Sequence, residues 1–230
     1  MKLHGIQKMT LLDFPGCVSC TIFLGGCDFR CPFCHNFELI DGTMKPTMDD
    51  DELIKFLESR KGLLEGVAIT GGEPLMHKDL PELIQRIHDA GYRVKLDTNG
   101  YHPDLLKIIL DMGIVEYVAM DIKNSPEKYP LTCGIDNVDM SKIYDSISLI
   151  MNSDIEYEFR TTVVNELHES DDFYKIGEMI KGAKRYFLQR FTDRDSVPYG
   201  NLTPPSFDKM HKFAEISREF VPKTELRGVE

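Results

Sequence analysis

Short apolar runs alternate with helix-like stretches along almost the whole chain. Residues 18–24, 66–70, 93–97, 117–122, 157–164 and 185–191 are rich in β-branched or aromatic side chains and short enough for buried strands. Between them apolar residues recur at helical spacing. One stripe is Leu53, Phe56 and Leu57, after the acidic start "DDDE". A second is Leu80, Leu83, Ile84 and Ile87, with Pro81 early and Gly91 as the stop. Leu105, Ile108, Ile109 and Met112 form a third, ended by Gly113; Met140, Ile143, Ile147 and Ile150 form a fourth. Phe173, Ile176 and Ile180 make a weaker fifth, and a last helix is expected over 206–220. Such stripes are the faces that helices bury.

Strand and helix in alternation imply right-handed βαβ units and a parallel sheet. The 230 residues hold six such units, whereas a closed eight-unit barrel takes about 250 residues. The expected fold is therefore α/β, an open partial (β/α)6 TIM-like barrel with parallel strands. No Pro/Gly/Ser-rich linker divides the chain, so residues 1–230 are expected to form a single domain. Nor does the pattern show a long insertion that could fold over the barrel mouth as a lid.

A formal net charge of −11 argues against a general nucleic-acid or anionic-membrane binder, because both need a cationic surface. The N-terminus carries no signal-like apolar run, and no stretch is long enough to span a bilayer. The expectation is a cytoplasmic protein with reduced thiols, in which six cysteines indicate metal or redox chemistry sooner than disulfides.

Three of those cysteines, Cys27, Cys31 and Cys34, stand in "GGCDFRCPFCHN", at the end of the first expected strand. Ligand sites in such folds sit at strand C-termini. Three thiolates hold a [4Fe–4S] cube with one iron left open to a small molecule. Two other readings exist. One is a structural zinc with His35 as fourth ligand, although His35 adjoins Cys34 and the usual second ligand pair is absent. The other is a ferredoxin-like electron carrier whose fourth cysteine would be Cys133, in the expected loop "YPLTCGID". Cys17 and Cys20 lie three apart on a strand and face opposite ways, so they read as small buried thiols.

The C-x₃-C-x₂-C spacing with Phe33 before the last cysteine resembles the radical S-adenosylmethionine (SAM) superfamily. "VAITGGEPLM", a strand running into a Gly-Gly turn and an acid, matches that superfamily's second motif. "GIQKMTLLDFPG", "LDTNGY" and "VAMDIK" narrow the likeness to glycyl radical enzyme activases, with the opening segment most similar to those serving anaerobic ribonucleoside-triphosphate reductase. The resemblance covers the chain up to the sixth strand and fades in the last forty or so residues.

It implies that Cys27, Cys31 and Cys34 ligate a [4Fe–4S] cluster whose open iron chelates SAM, and that Phe33 and His35 flank the adenine. Gly71, Gly72 and Glu73 would hold the methionine end, the glycines allowing close approach to the ligand. Asp97 and Asp121 would help bind a monovalent cation, or are ordinary polar strand ends. Asn99 and Lys123 would contact the cofactor, or are a turn residue and a solvated lysine. The implied partners are a glycyl radical enzyme, first among them anaerobic ribonucleoside-triphosphate reductase, and an electron donor such as flavodoxin or ferredoxin. No auxiliary cluster is expected, because residues 36–70 lack cysteine. The alternative within the superfamily is a small-molecule enzyme resembling 7-carboxy-7-deazaguanine synthase.

Overall fold

A computed structural model describes residues 1–229. Its main sheet has eight strands: β1 (Gly5–Thr10), β2 (Ser19–Leu24), β3 (Gly66–Gly71), β4 (Arg93–Thr98), β5 (Tyr117–Asp121), β6 (Glu156–Val163), β7 (Tyr186–Arg190) and β8 (Thr224–Arg227). Each strand hydrogen-bonds only to its neighbours in chain order, and β1 and β8 form the two edges. All pairs are parallel except β1 with β2. The sheet is not closed.

The six expected strands are all present, their ends shifted by a residue or so. Two further strands extend the sheet. β1 is an antiparallel edge of mixed exposure, and β8 is a four-residue parallel strand after the last helix. Both are short and mostly polar, so neither carries the apolar signal that marks a buried strand.

The connections include α1 (Asp50–Glu58), α2 (Leu80–Asp89), α3 (Pro103–Asp111), α4 (Tyr129–Cys133), α5 (Met140–Met151), α6 (Ser170–Met179) and α7 (Phe207–Arg218). Asp49 and Glu52 close a capping box on α1, each accepting from the other's backbone N–H. α3 departs from its expected stripe. Leu106 and Ile109 are its buried residues, while Ile108 is 54% exposed. The helix is rotated about its axis relative to the stripe drawn from sequence.

Alternation along the strands separates two environments. One face carries Val67, Ile69, Val94, Leu96, Val118, Met120 and Phe159, which share one buried cluster with Leu83, Ile84, Ile109, Ile147 and Phe173 of the helices. Each such side chain contributes about 1.5–3 kcal/mol on burial. Cys20 belongs to this cluster, whereas Cys17 sits with Phe14, Tyr117 and Ala119 in a separate one. The two thiols are thus buried in different clusters, but Cys17 precedes the strand, in a turn where its N–H donates to the Phe14 carbonyl, and is not on it as the sequence reading had it.

The concave face is charged. Lys95 pairs with Asp97, Arg160 reaches both Asp97 (3.1 Å) and Asp121 (2.9 Å), and Arg227 grips Glu158 through two bonds of 2.8 and 2.9 Å. Carboxylates and cations within one strand, on neighbouring strands and on strands two apart satisfy one another on this partly buried face.

The connection from β7 to α7, residues 191–206, departs from the C-terminal rim of the sheet. Its polar, proline-containing sequence reads as plain surface loop. In the structure it is tied to the cysteine loop by the Thr192 carbonyl, 2.7 Å from Nε2 of His35.

Candidate functional site

Gly25 and Gly26 end β2 and launch the cysteine loop. Its backbone is stitched to the neighbouring strand end: the Gly72 N–H donates to Leu24 (2.8 Å) and the Glu73 N–H to Gly26 (2.7 Å). This approach explains both glycines of the second motif. A Cβ on Gly71, whose φ is +129°, would lie 2.3 Å from the Leu24 carbonyl oxygen. One on Gly72 would lie 1.9 Å from that of Gly26. The partner that requires glycine here is the cysteine loop's own backbone, where sequence reasoning had expected a ligand.

Three other contacts hold the loop. His102 bonds Asp28 at 2.6 Å, raising the imidazole pKa and lowering that of the carboxyl through the same bond. The rings of Phe29 and Tyr101 pack with centroids 5.1 Å apart. On the far side the Arg30 N–H donates to the carbonyl of Cys133 at 2.7 Å. Cys133 is the last residue of α4, fully buried, and its thiol lies beside that of Cys31. Sequence reasoning placed Cys133 in a loop; the helical turn was missed because Pro130 interrupts an otherwise unpatterned segment.

The loop walls a cavity of about 280 Å³, shared by Cys27, Cys31 and Cys34 with Phe33, His35, Gly71, Gly72, Glu73, Asp97, Asn99, Asp121 and Lys123. Every site residue singled out from sequence therefore lines one cavity, at the C-terminal ends of the strands. Arg160, Thr162 and Gln189 also line it and were not foreseen. The signal for Arg160 was the alternating run "EYEFRT", which sends Glu158 and Arg160 to the concave face.

Glu73 is fully buried, and its carboxylate accepts from the N–H groups of Leu75 (3.0 Å) and Asn99 (2.7 Å) and from the Thr98 hydroxyl (2.8 Å). Burial dominates these bonds and pushes its pKa up to about 7. Asn99 turns its amide to Cys27, with Nδ2 3.7 Å from the sulfur. Lys123 bonds Asp121 at 2.9 Å. Burial opposes its charge, but Asp121 and the Cys31 sulfur outweigh that and raise its pKa. Burial likewise opposes ionisation of Asp121, yet Arg160 and Lys123 hold it down to about 2. Asp97 is lowered too, Arg160 and Lys95 overcoming its burial. Both carboxylates are thus already matched by cations of the chain.

The donor set suits a cluster better than one ion. Among the described residues no three His, Cys, Asp or Glu side chains converge closely enough to hold a single metal. In a cube each thiolate takes a separate iron, so three spaced thiols around a cavity are what it needs. His35 is directed elsewhere, stacked on Phe191 with ring centroids 5.7 Å apart and bonded to Thr192. With Nε2 engaged by Thr192, a zinc could take His35 only through Nδ1.

Residues 21–176 match the model of the radical SAM superfamily. The chain belongs to that superfamily. Radical SAM enzymes work with a [4Fe–4S] cluster and SAM, and the thiols, polar wall and lysine described above fit both groups. Among curated relatives, a Methanocaldococcus jannaschii protein, provisionally assigned as a glycyl-radical enzyme activating enzyme, is 28% identical over 99% of this chain and 96% of its own length. A pyruvate formate-lyase-activating enzyme of Clostridium pasteurianum is 24% identical over 91% of this chain and 87% of its own. The radical SAM fold recurs in a domain of the pyruvate-formate lyase-activating enzyme from Bacteroides vulgatus. It has a TM-score of 0.55 at 20% identity, covering 71% of this chain and 99% of that one. Among the described residues no helix is long and apolar enough to cross a membrane.

Proposed function

We propose that this radical SAM enzyme activates a glycyl radical enzyme by removing a hydrogen atom from a backbone glycine, and that its partner is an anaerobic ribonucleoside-triphosphate reductase. The observation that carries the reading is the convergence of the cysteine loop, the Gly-Gly-Glu turn and the two strand-end aspartates on one cavity. Cluster and SAM together supply a 5′-deoxyadenosyl radical, chemistry that belongs to the cofactors. The chain's part is to bind, orient and exclude.

On this reading Cys27, Cys31 and Cys34 hold the cluster, with Lys123 behind Cys31 offsetting the added negative charge. Gly71, Gly72 and Glu73 hold the methionine end, Phe33 and His35 flank the adenine, and Asn99 and Lys123 supply polar contacts. A monovalent cation at Asp97 and Asp121 would share them with Arg160, Lys95 and Lys123. The edges β1 and β8 do not pair with each other, which supports entry of a partner's loop through the open side. Residues 191–206 are the one segment that such a loop would have to pass at the rim. The chain acts as a single cytoplasmic radical SAM domain, and a flavodoxin or ferredoxin provides the electron.

The test mixes the reduced, SAM-loaded enzyme with candidate reductase carrying α-deuterated glycine. Electron paramagnetic resonance is expected to show a carbon-centred radical on the reductase, with deuterium appearing in 5′-deoxyadenosine. Turnover of a small heterocycle without label transfer from any glycyl radical enzyme would replace the proposal with the 7-carboxy-7-deazaguanine synthase-like chemistry.

A further inference from the structure

Resting on the cluster assignment above, we infer that Asn99 and Cys133 are positioning residues that set the reduction potential of the cluster by donating hydrogen bonds to the sulfurs of Cys27 and Cys31. Nothing in the cysteine motif itself identifies either one.

Asn99 is held in the orientation this requires. Its Oδ1 accepts the Tyr101 N–H at 2.9 Å. The amide cannot be flipped without placing two donors face to face, so the Nδ2 end is the one directed at Cys27, 3.7 Å away. The N–H of Phe29 approaches the same sulfur at 3.4 Å. A thiolate bound to one iron retains lone pairs for both.

Cys133 is fixed as firmly. Its carbonyl takes the Arg30 N–H at 2.7 Å, and the helix end leaves through Gly134 at φ +66°. A Cβ on Gly134 would lie 2.1 Å from the Arg30 carbonyl oxygen, so α4 is pressed against the cysteine loop at a distance only glycine permits. Cys133 is fully buried, and this packing sets its thiol beside the Cys31 sulfur, where its S–H would have an acceptor. Hydrogen bonds to cluster sulfurs withdraw electron density and favour the reduced state, and they act more strongly where water is excluded. A purely packing role for either residue would leave the potential where it is.

The variants Asn99→Asp, Cys133→Ala and Cys133→Ser separate the two roles. Asn99→Asp keeps an acceptor for Tyr101 and exchanges the donor for a carboxylate. Cys133→Ala deletes its donor, and Cys133→Ser restores one. Iron and sulfide are counted first, and the potential of each holoprotein is then read by resonance-monitored redox titration. Asn99→Asp and Cys133→Ala are each expected to disfavour one-electron reduction about tenfold, which is about 59 mV. Cys133→Ser is expected to stay within about twofold of the parent. Full cluster loading with unchanged potentials in Asn99→Asp and Cys133→Ala overturns the inference. Should Asn99→Asp fail to load, the difference between Cys133→Ala and Cys133→Ser decides alone. A parent protein that takes up no iron defeats the cluster assignment instead, a separate result.

Discussion

Replacing Glu73 tests whether its carboxylate is mainly a structural acceptor or mainly a ligand contact. The side chain has no exposed surface and accepts three donors, from Leu75, Thr98 and Asn99. A buried donor left without its partner costs about 1–3 kcal/mol. Glu73→Ala orphans all three, so the expected loss is roughly 3–9 kcal/mol, against a total stability of about 5–15 kcal/mol. Glu73→Gln keeps an oxygen for Leu75 and Thr98 but presents an amide to the Asn99 N–H, so about 1–3 kcal/mol is expected. Urea denaturation of the reduced, cluster-free chain, monitored by far-ultraviolet circular dichroism, measures both. The alanine variant should lose at least twice as much as the glutamine variant. An alanine variant within about 1 kcal/mol of the parent would refute the reasoning and return Glu73 to a ligand-facing role. Because the glutamine variant should remain folded, SAM binding measured on it then reports the carboxylate's charge together with its bond to the Asn99 N–H.

Anaerobic reconstitution should load about four irons and four sulfides per chain. Cys27→Ala, Cys31→Ala and Cys34→Ala should abolish this, while Cys17→Ala and Cys20→Ala should not; iron analysis decides, and a second cluster lost with Cys17 and Cys20 would contradict the assignment. Gly72→Ala puts a methyl group 1.9 Å from the Gly26 carbonyl. It should cost about 1–3 kcal/mol or more in urea denaturation and impair cluster uptake, since backbone has to move. His168 is buried with Nδ1 accepting the Val164 N–H (3.1 Å) and Nε2 3.0 Å from the Lys123 carbonyl. Burial lowers its pKa, so its stabilisation is complete above its unfolded value of about 6.5 and is lost as pH falls below that. Denaturation midpoints at pH 7 and pH 5 should show this drop in the parent and a smaller one in His168→Gln.

What could be read in advance follows from which interactions are local. The parallel strands declare themselves because their helix-facing residues, such as Val94 and Leu96, are apolar whatever lies opposite. The cysteine loop declares itself through spacing. The concave face does not, because Arg160 and Arg227 are placed by pairing across strands, and a single strand's sequence does not say which charge another will present. β8 was invisible for the same reason: "TELR" is a strand only beside β7. Glu73 was legible as a site residue, but two of its three donors, Thr98 and Asn99, come from the end of β4 and became apparent only with the fold. Cys133 was read as part of a loop, and the turn of α4 brings it beside Cys31.

The strictly sequential strand order also governs when the cavity comes into being. The cysteine loop is made early, at the end of the second strand, while the contact that shuts its outer side, His35 to Thr192, joins residues 157 positions apart. At about 5–20 residues per second a ribosome needs roughly 8–30 s to synthesise that interval. For the last part of that time β3, β4 and α4 already pack on the cysteine loop, while the cavity still lacks the wall that Gln189 and Thr192 supply. Alkylation of arrested nascent chains is expected to find Cys34, next to His35, more reactive before the seventh strand has left the exit tunnel than after. Equal reactivity before and after would show that maturation has no such window.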